Sequence, residues 1–143
     1  NHEQIAVFYK KQPIYNPQFE KGMPLHGRGK NYLNKKPINN NYGQFSMKED
    51  TRKGCTEKYP SSVLNFKKTH PSKSKHPTEK PIELLEYLIK TYSNEKDLVL
   101  DSCIGSGSTA IACINTNRDF IGFEIDEKYY KTAIERIKEE VIL

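Results

Sequence analysis

The sequence predicts an α/β fold built on a parallel sheet. Two observations carry that expectation. From residue 78 onward, stretches of helical periodicity alternate with short apolar runs, in the order helix–strand–helix–strand–helix. In addition, a glycine turn, Gly105-Ser106-Gly107, joins one apolar run to the next helical stretch. Such alternation implies parallel strands with right-handed crossovers.

The elements follow in chain order. "QIAVFY" at 4–9 combines β-branched and aromatic residues and reads as a buried strand. Lys10 and Lys11 end it, and Pro13 blocks easy continuation. Residues 14–69 sustain neither a period of two nor one of 3.6, and Gly, Asn, Pro, Lys and Tyr dominate them. They read as a small, irregular, basic subdomain with weak β content. "SVLNFKK" at 62–68 is a candidate strand there, with Val63 and Phe66 or Leu64 as its buried residues. A polar stretch at 70–80 leads to a helix in which Thr78 is the expected cap and Pro81 lies in the first turn. Its apolar stripe is Ile82, Leu85, Leu88, Ile89 and Tyr92. "LVL" at 98–100 is a core strand, 109–115 a slim helix, and "DFIGFE" at 119–124 the next strand. Asp126 caps a last helix with the stripe Tyr130, Ala133, Ile134, Ile137 and Val141.

Only three sheet strands emerge from this reading. Helices must cover both faces of a parallel sheet, and a three-stranded remnant would expose apolar faces and an open edge. The expectation is therefore part of a larger sheet, with the other strands upstream of residue 1 or in a partner.

The chain has 143 residues, enough for one ordinary domain, with 35% apolar residues and a net charge of +5. Charge is unevenly distributed. Residues 10–69 hold 13 Lys/Arg against 4 Asp/Glu, a net +9, while the rest of the chain is net acidic. A basic segment beside an acidic one points to a polyanion partner. There is no apolar stretch of membrane-spanning length and no signal-peptide pattern at the start. The absence of an initiating Met suggests a fragment. Three cysteines without metal-ligand spacing fit a reducing compartment, so a cytoplasmic location is expected, with no metal and no membrane partner.

The glycine turn can hold a small ligand at the carboxyl end of its strand. No Lys follows Gly107, which excludes the Walker phosphate loop. "GSGSTA" fits the dinucleotide pattern, and Glu124 or Asp126 stands about where a ribose-binding acid is expected. Asp101, however, puts a carboxylate where a pyrophosphate would lie, and too little chain follows for a second βαβ half. A ligand with an ammonium and a ribose but no phosphate fits better, and S-adenosylmethionine is such a molecule. Glu124 would then accept the ribose hydroxyls, with Ile125 along the adenine. Plainer roles stand beside these: Asp101 as a turn cap, Asp126 as a helix cap, Cys103 as a turn residue and Cys113 as a core residue.

Three stretches taken together, "HPTEKP" (76–81), "DSCIGSGSTA" (101–110) and "FIGFEID" (120–126), resemble the beta-class amino-methyltransferases of DNA, which modify adenine at N6 or cytosine at N4. "NHEQIAVFYK" at the start resembles the strand that follows that family's catalytic region. The family's glycine motif reads Asp-Pro-Phe-x-Gly-Ser-Gly-Thr-Thr; Ser102, Cys103 and Ser108 depart from it, while Asp101, Gly105 and Gly107 persist. The resemblance is tight at 1–11 and 70–137 and positional between them.

The resemblance implies a Rossmann-like, S-adenosylmethionine-dependent methyltransferase sheet with an irregular basic target-recognition insertion. Residues 1–13 would be a strand of the sheet, 14–69 the DNA target-recognition subdomain, and 70–143 the cofactor-binding half. Thr78, Glu79, Lys80 and Pro81 would enclose the methionine part of the cofactor. Asp101 with Gly105, Ser106 and Gly107 would wrap its ammonium and carboxylate end, and Glu124 would hold the ribose; Ser102, Cys103 and Ile125 complete the expected cofactor-binding set. The family's catalytic motif, Asp/Ser-Pro-Pro-Tyr, occurs nowhere in this sequence, so no catalytic residue is assigned. The chain would supply cofactor binding and recognition of double-stranded DNA to an adenine methyltransferase, with cytosine as the alternative. Its partner would be the missing N-terminal catalytic portion or a second copy. An inactive DNA-binding remnant and an NAD-dependent enzyme are the competing expectations.

Within the basic segment, Arg28, Lys30, Lys35, Lys36, Arg52, Lys53, Lys67 and Lys68 are candidate phosphate contacts. Asn34, Asn39, Asn40, Asn41 and Gln44 are candidate readers of adenine edges. Tyr32, Tyr42, Phe45 and Tyr59 are expected to form a small core.

Overall fold

The computed structural model describes residues 3–24, 54–68 and 75–142. The chain divides into two compact units: residues 1–18 with 61–143, and residues 19–60. In the second unit, β1 (Glu20–Lys21) pairs antiparallel with β2 (Glu57–Lys58). Its register sets Glu20 opposite Lys58 and Lys21 opposite Glu57, so each cross-strand pair joins opposite charges. Tyr59 is exposed and packs on Phe19, with ring centroids 4.9 Å apart. Tyr32, Tyr42 and Phe45 lie outside the described residues, as do all the expected DNA contacts except Lys67 and Lys68.

The first unit is built from α1 (Ile82–Tyr92), β3 (Leu98–Asp101), α2 (Ser108–Asn115), β4 (Asp119–Gly122) and α3 (Glu127–Ile142). β3 and β4 pair in parallel, from Leu98 opposite Asp119 to Asp101 opposite Gly122. Pairing continues past the ladder: Phe123 N–H donates to Asp101 C=O, and Ile104 N–H to Phe123 C=O. α2 is the crossover, and it packs against α1, α3 and β4. This central position explains its composition. Ala110, Ala112 and Cys113 are fully buried, and larger side chains there would push its neighbours away. The core sets Ile89, Ala112 and Cys113 against Ile82, Leu85, Val99 and Phe120.

The two faces of the β3–β4 pair differ sharply. Val99 and Phe120 turn into the core. Leu98, Leu100 and Ile121 alternate with them and are 62%, 66% and 45% exposed, with Phe123 60% exposed beyond them.

Several expectations are corrected. Residues 4–9 join no ladder among the described residues; Ile5, Val7, Phe8 and Tyr9 are all exposed. An apolar, β-branched run forms a strand only where another strand supplies hydrogen bonds and a face to cover. Residues 62–68 are likewise not a strand. Val63 is exposed, and Phe66 instead sets its ring edge-on to Tyr87 at 5.8 Å. Thr78 does not cap α1. The helix begins at Ile82 after Pro81, whose extended backbone (φ −56°, ψ 132°) occupies the cap position with no side-chain hydrogen bond. In α3, Tyr130 and Val141 are exposed, and burial centres on Ala133. Asp126 does cap α3, accepting from Lys128 N–H at 2.9 Å and Tyr129 N–H at 3.2 Å.

Candidate functional site

The site lies at the carboxyl ends of β3 and β4, where ligands bind in open α/β sheets. Gly105 and Gly107 both adopt positive φ, +57° and +88°, a region open to glycine at little cost. Gly107 has a second constraint. A Cβ there would stand 3.1 Å from the Ala133 Cβ and 3.2 Å from its Cα, so the turn and α3 approach through two small residues. The turn is packed in: residues 105–108 are buried, Ser106 to 2% and Ser108 to 6% exposure. His76 lies over Gly105 and packs edge-on against Tyr129 at 4.2 Å.

Two carboxylates flank this turn: the turn itself orients Glu124, and the residues on either side of it orient Asp101. Asp101 accepts from Cys103 N–H at 2.9 Å through Oδ1 and from the Thr109 hydroxyl at 2.6 Å through Oδ2. Glu124 accepts from Gly105 N–H through Oε2 and from Asp126 N–H through Oε1, each at 2.9 Å. A carboxylate has about four lone-pair sites, so each acid keeps acceptor capacity after these bonds. Asp101 is thus a turn cap, and this does not exhaust its oxygens. Both acids are half-buried. The arrangement presents fixed negative charge and hydrogen-bond acceptors to a cationic or hydroxylated small molecule.

The remaining candidates divide between rim and support. Ser102, Cys103 and Ile125 are exposed, Ile125 completely. Thr78 is exposed; its N–H and hydroxyl lie 3.2 and 3.1 Å from His76 Nδ1. Lys80 reaches Glu3 at 2.6 Å, and its ammonium holds the Glu3 carboxyl below the ordinary carboxylate range. Pro81 starts α1. Glu79 belongs to the support. Its side chain is 5% exposed, and it accepts from Lys75 N–H, the Ser108 hydroxyl and Arg136. Arg136 and Tyr129 also line this candidate site without being singled out by the sequence, whereas Thr109 enters the sequence reading only as a residue near the helix N-terminus and His76 only within "HPTEKP". A charged residue on the half-buried side of a helix was the available signal for Arg136. Among the described residues there is no cluster that could hold a metal ion.

Fold and site together define an α/β domain with oriented hydrogen-bond acceptors at the carboxyl edge of a parallel sheet. The chain belongs to the DNA methylase family, whose model matches residues 1–135. It is thus a homologue of the DNA amino-methyltransferases and has their Rossmann-like fold, interrupted by an insertion. It is 40% identical over 84 residues to the type II methyltransferase M.HpaI of Haemophilus parainfluenzae, covering 57% of this chain and 27% of that protein. It is 37% identical over 84 residues to the DNA adenine methyltransferase YhdJ of Escherichia coli K12, covering 57% and 29%. Among solved structures, the M1.HpyAVI–SAM complex is similar with 38% identity and a TM-score of 0.49, over 64% of this chain and 43% of that one. The chain thus spans little more than a quarter of the length of these two curated relatives.

Proposed function

We propose that this chain is the cofactor-binding and target-recognising portion of a site-specific DNA methyltransferase. The cofactor is S-adenosylmethionine and the target is the exocyclic amine of adenine, N6, with cytosine N4 as the alternative. One observation carries the reading. Asp101 and Glu124, at the carboxyl ends of adjacent parallel strands, are both held by the loop and helix start at 103–109 and both retain acceptor capacity. That donor set fits the molecule. Glu124 suits the paired hydroxyls of a ribose, Asp101 an ammonium, and the bare side chain of Ile125 the face of an adenine. S-adenosylmethionine supplies the methyl group, bound to a sulfonium.

This chain's own residues bind and orient. Asp101 and Glu124 are preset by backbone N–H groups, so little ordering remains when a ligand arrives. Residues 14–69 would track the DNA backbone with their lysines and arginines. A target base must leave the stack to reach a buried methyl donor, and the positive charge of residues 14–69 would hold the distorted duplex. No Pro-Pro-aromatic motif occurs in these 143 residues, so the groups that receive the target amine would lie in the rest of the protein. The same fact favours one second reading, an inactive DNA-binding remnant; the presence of that motif elsewhere in the protein would exclude it.

Calorimetry with S-adenosylhomocysteine and with NAD tests the proposal. S-adenosylhomocysteine is expected to bind. Glu124→Ala should weaken that binding by roughly tenfold to a hundredfold, the loss of about 1.5–3 kcal/mol from hydrogen bonds to a charged acceptor. Binding of NAD alone, or an unchanged affinity in a folded Glu124→Ala protein, would refute it.

A further inference from the structure

We propose that Arg136, on α3, is a positioning residue for the cofactor turn, and that it acts by clamping the turn to the segment 76–81. The inference rests on the S-adenosylmethionine reading above and adds to it a residue outside the matched motifs. Arg136 Nη1 donates to the Ser106 carbonyl at 2.8 Å, Ser106 Oγ at 3.1 Å and Ser108 Oγ at 3.4 Å. The same nitrogen meets Glu79 Oε1 at 3.0 Å, and Ser108 Oγ donates to that oxygen, also at 3.0 Å. Glu79 Oε2 in turn takes Lys75 N–H at 2.7 Å. Three separate stretches therefore meet at one ion pair: 75–79, 106–108 and α3.

Packing alone does not account for this pair. The two side chains are only 17% and 5% exposed, and a buried ion pair often stabilises no better than apolar residues of equal size. A cation near the N-terminus of α2 also opposes the helix dipole, and Glu79 supplies the countercharge. What an apolar pair could not do is hold a carbonyl and two hydroxyls of a glycine turn in one conformation. Gly105 and Gly107 make the backbone flexible as well as permissive. The guanidinium removes that freedom before a ligand binds. It also ties the two walls of the site, the glycine turn and the segment 76–81, to each other.

The test uses the full-length methyltransferase, with S-adenosylhomocysteine affinity, DNA affinity and amide NMR shifts measured on each variant. Arg136→Met should raise the cofactor dissociation constant by about tenfold, the worth of a charge-assisted hydrogen bond, and leave DNA affinity unchanged. The amides of Gly105, Ser106 and Gly107 should shift in the absence of ligand. Arg136→Lys, which keeps the charge and the fold if Arg136→Met does not fold, should recover part of the affinity. Glu79→Gln combined with Arg136→Met should bind no more weakly than Arg136→Met by itself, because the two act as one unit. A folded variant with unmoved turn amides would overturn the inference whatever the ligand is. Unchanged cofactor affinity would overturn it as well. Failure of the unsubstituted protein to bind is a different result: it removes the S-adenosylmethionine reading before any substitution is compared.

Discussion

At the scale of single residues, the three cysteines show how position governs chemistry. Cys103 is exposed in the site's rim, Cys55 is half-buried, and Cys113 is fully buried in α2. Burial pushes the Cys113 thiol up from its ordinary value of 9.0 to about 11; Asp101 adds to the rise and Arg118 opposes it. A group whose folded value is raised adds stability that is fully present below the unfolded value, here 9.0, and that is lost as pH rises toward about 11. Lysines and tyrosines titrate in the same range, so the comparison must be between variants. The denaturation midpoint of the wild-type protein should fall more steeply between pH 9 and 11 than that of Cys113→Ala. Parallel pH profiles for the two would contradict this account. A thiol reagent should modify Cys103 in the native state and Cys113 only on unfolding.

Elements were legible where their periodicity reports a burial that the chain itself completes. α1, β3, α2, β4 and α3 all satisfy that condition, and the sequence reading placed each within a few residues. It failed at 4–9 and 62–68, where the same residue types find no strand to pair with among the described residues. It also misplaced the α1 cap, because Thr78 hydroxyl chemistry serves the His76 ring instead. The site was legible in part. Asp101, Glu124 and the glycines follow from a strand–turn–helix pattern, whereas Arg136 joins them only through a contact 30 residues away in sequence. The exposed face of β3–β4 carries a prediction of its own. Leu98, Leu100 and Ile121 form an apolar strip on a sheet whose edges are unpaired among the described residues, a template for association. The 143-residue chain should therefore self-associate in light scattering. Leu100→Gln with Ile121→Gln, which leaves the Val99–Phe120 face intact, should reduce that association. An unsubstituted chain that stays monomeric at high concentration would show that the face is covered some other way.

For the whole molecule, that apolar strip and the missing catalytic motif lead to the same conclusion. A parallel sheet is stable when both faces are covered, and among the described residues only the face carrying Val99 and Phe120 is. A methyltransferase also needs groups that accept the target amine, and no Pro-Pro-aromatic sequence stands among these residues. One additional body, packed on the free sheet face and bearing that motif, would meet both needs. Under the proposed function the purified 143-residue chain should bind S-adenosylhomocysteine and double-stranded DNA but transfer no methyl group. Its DNA binding should weaken steeply with salt, as expected of a segment with a net +9 between residues 10 and 69. Adding the remaining portion of the protein in trans should restore transfer and, by covering Leu98, Leu100 and Ile121, abolish self-association in the same titration. Methyl transfer by the 143 residues alone would refute this division of labour. Restored transfer with self-association unchanged would place the partner on a different face.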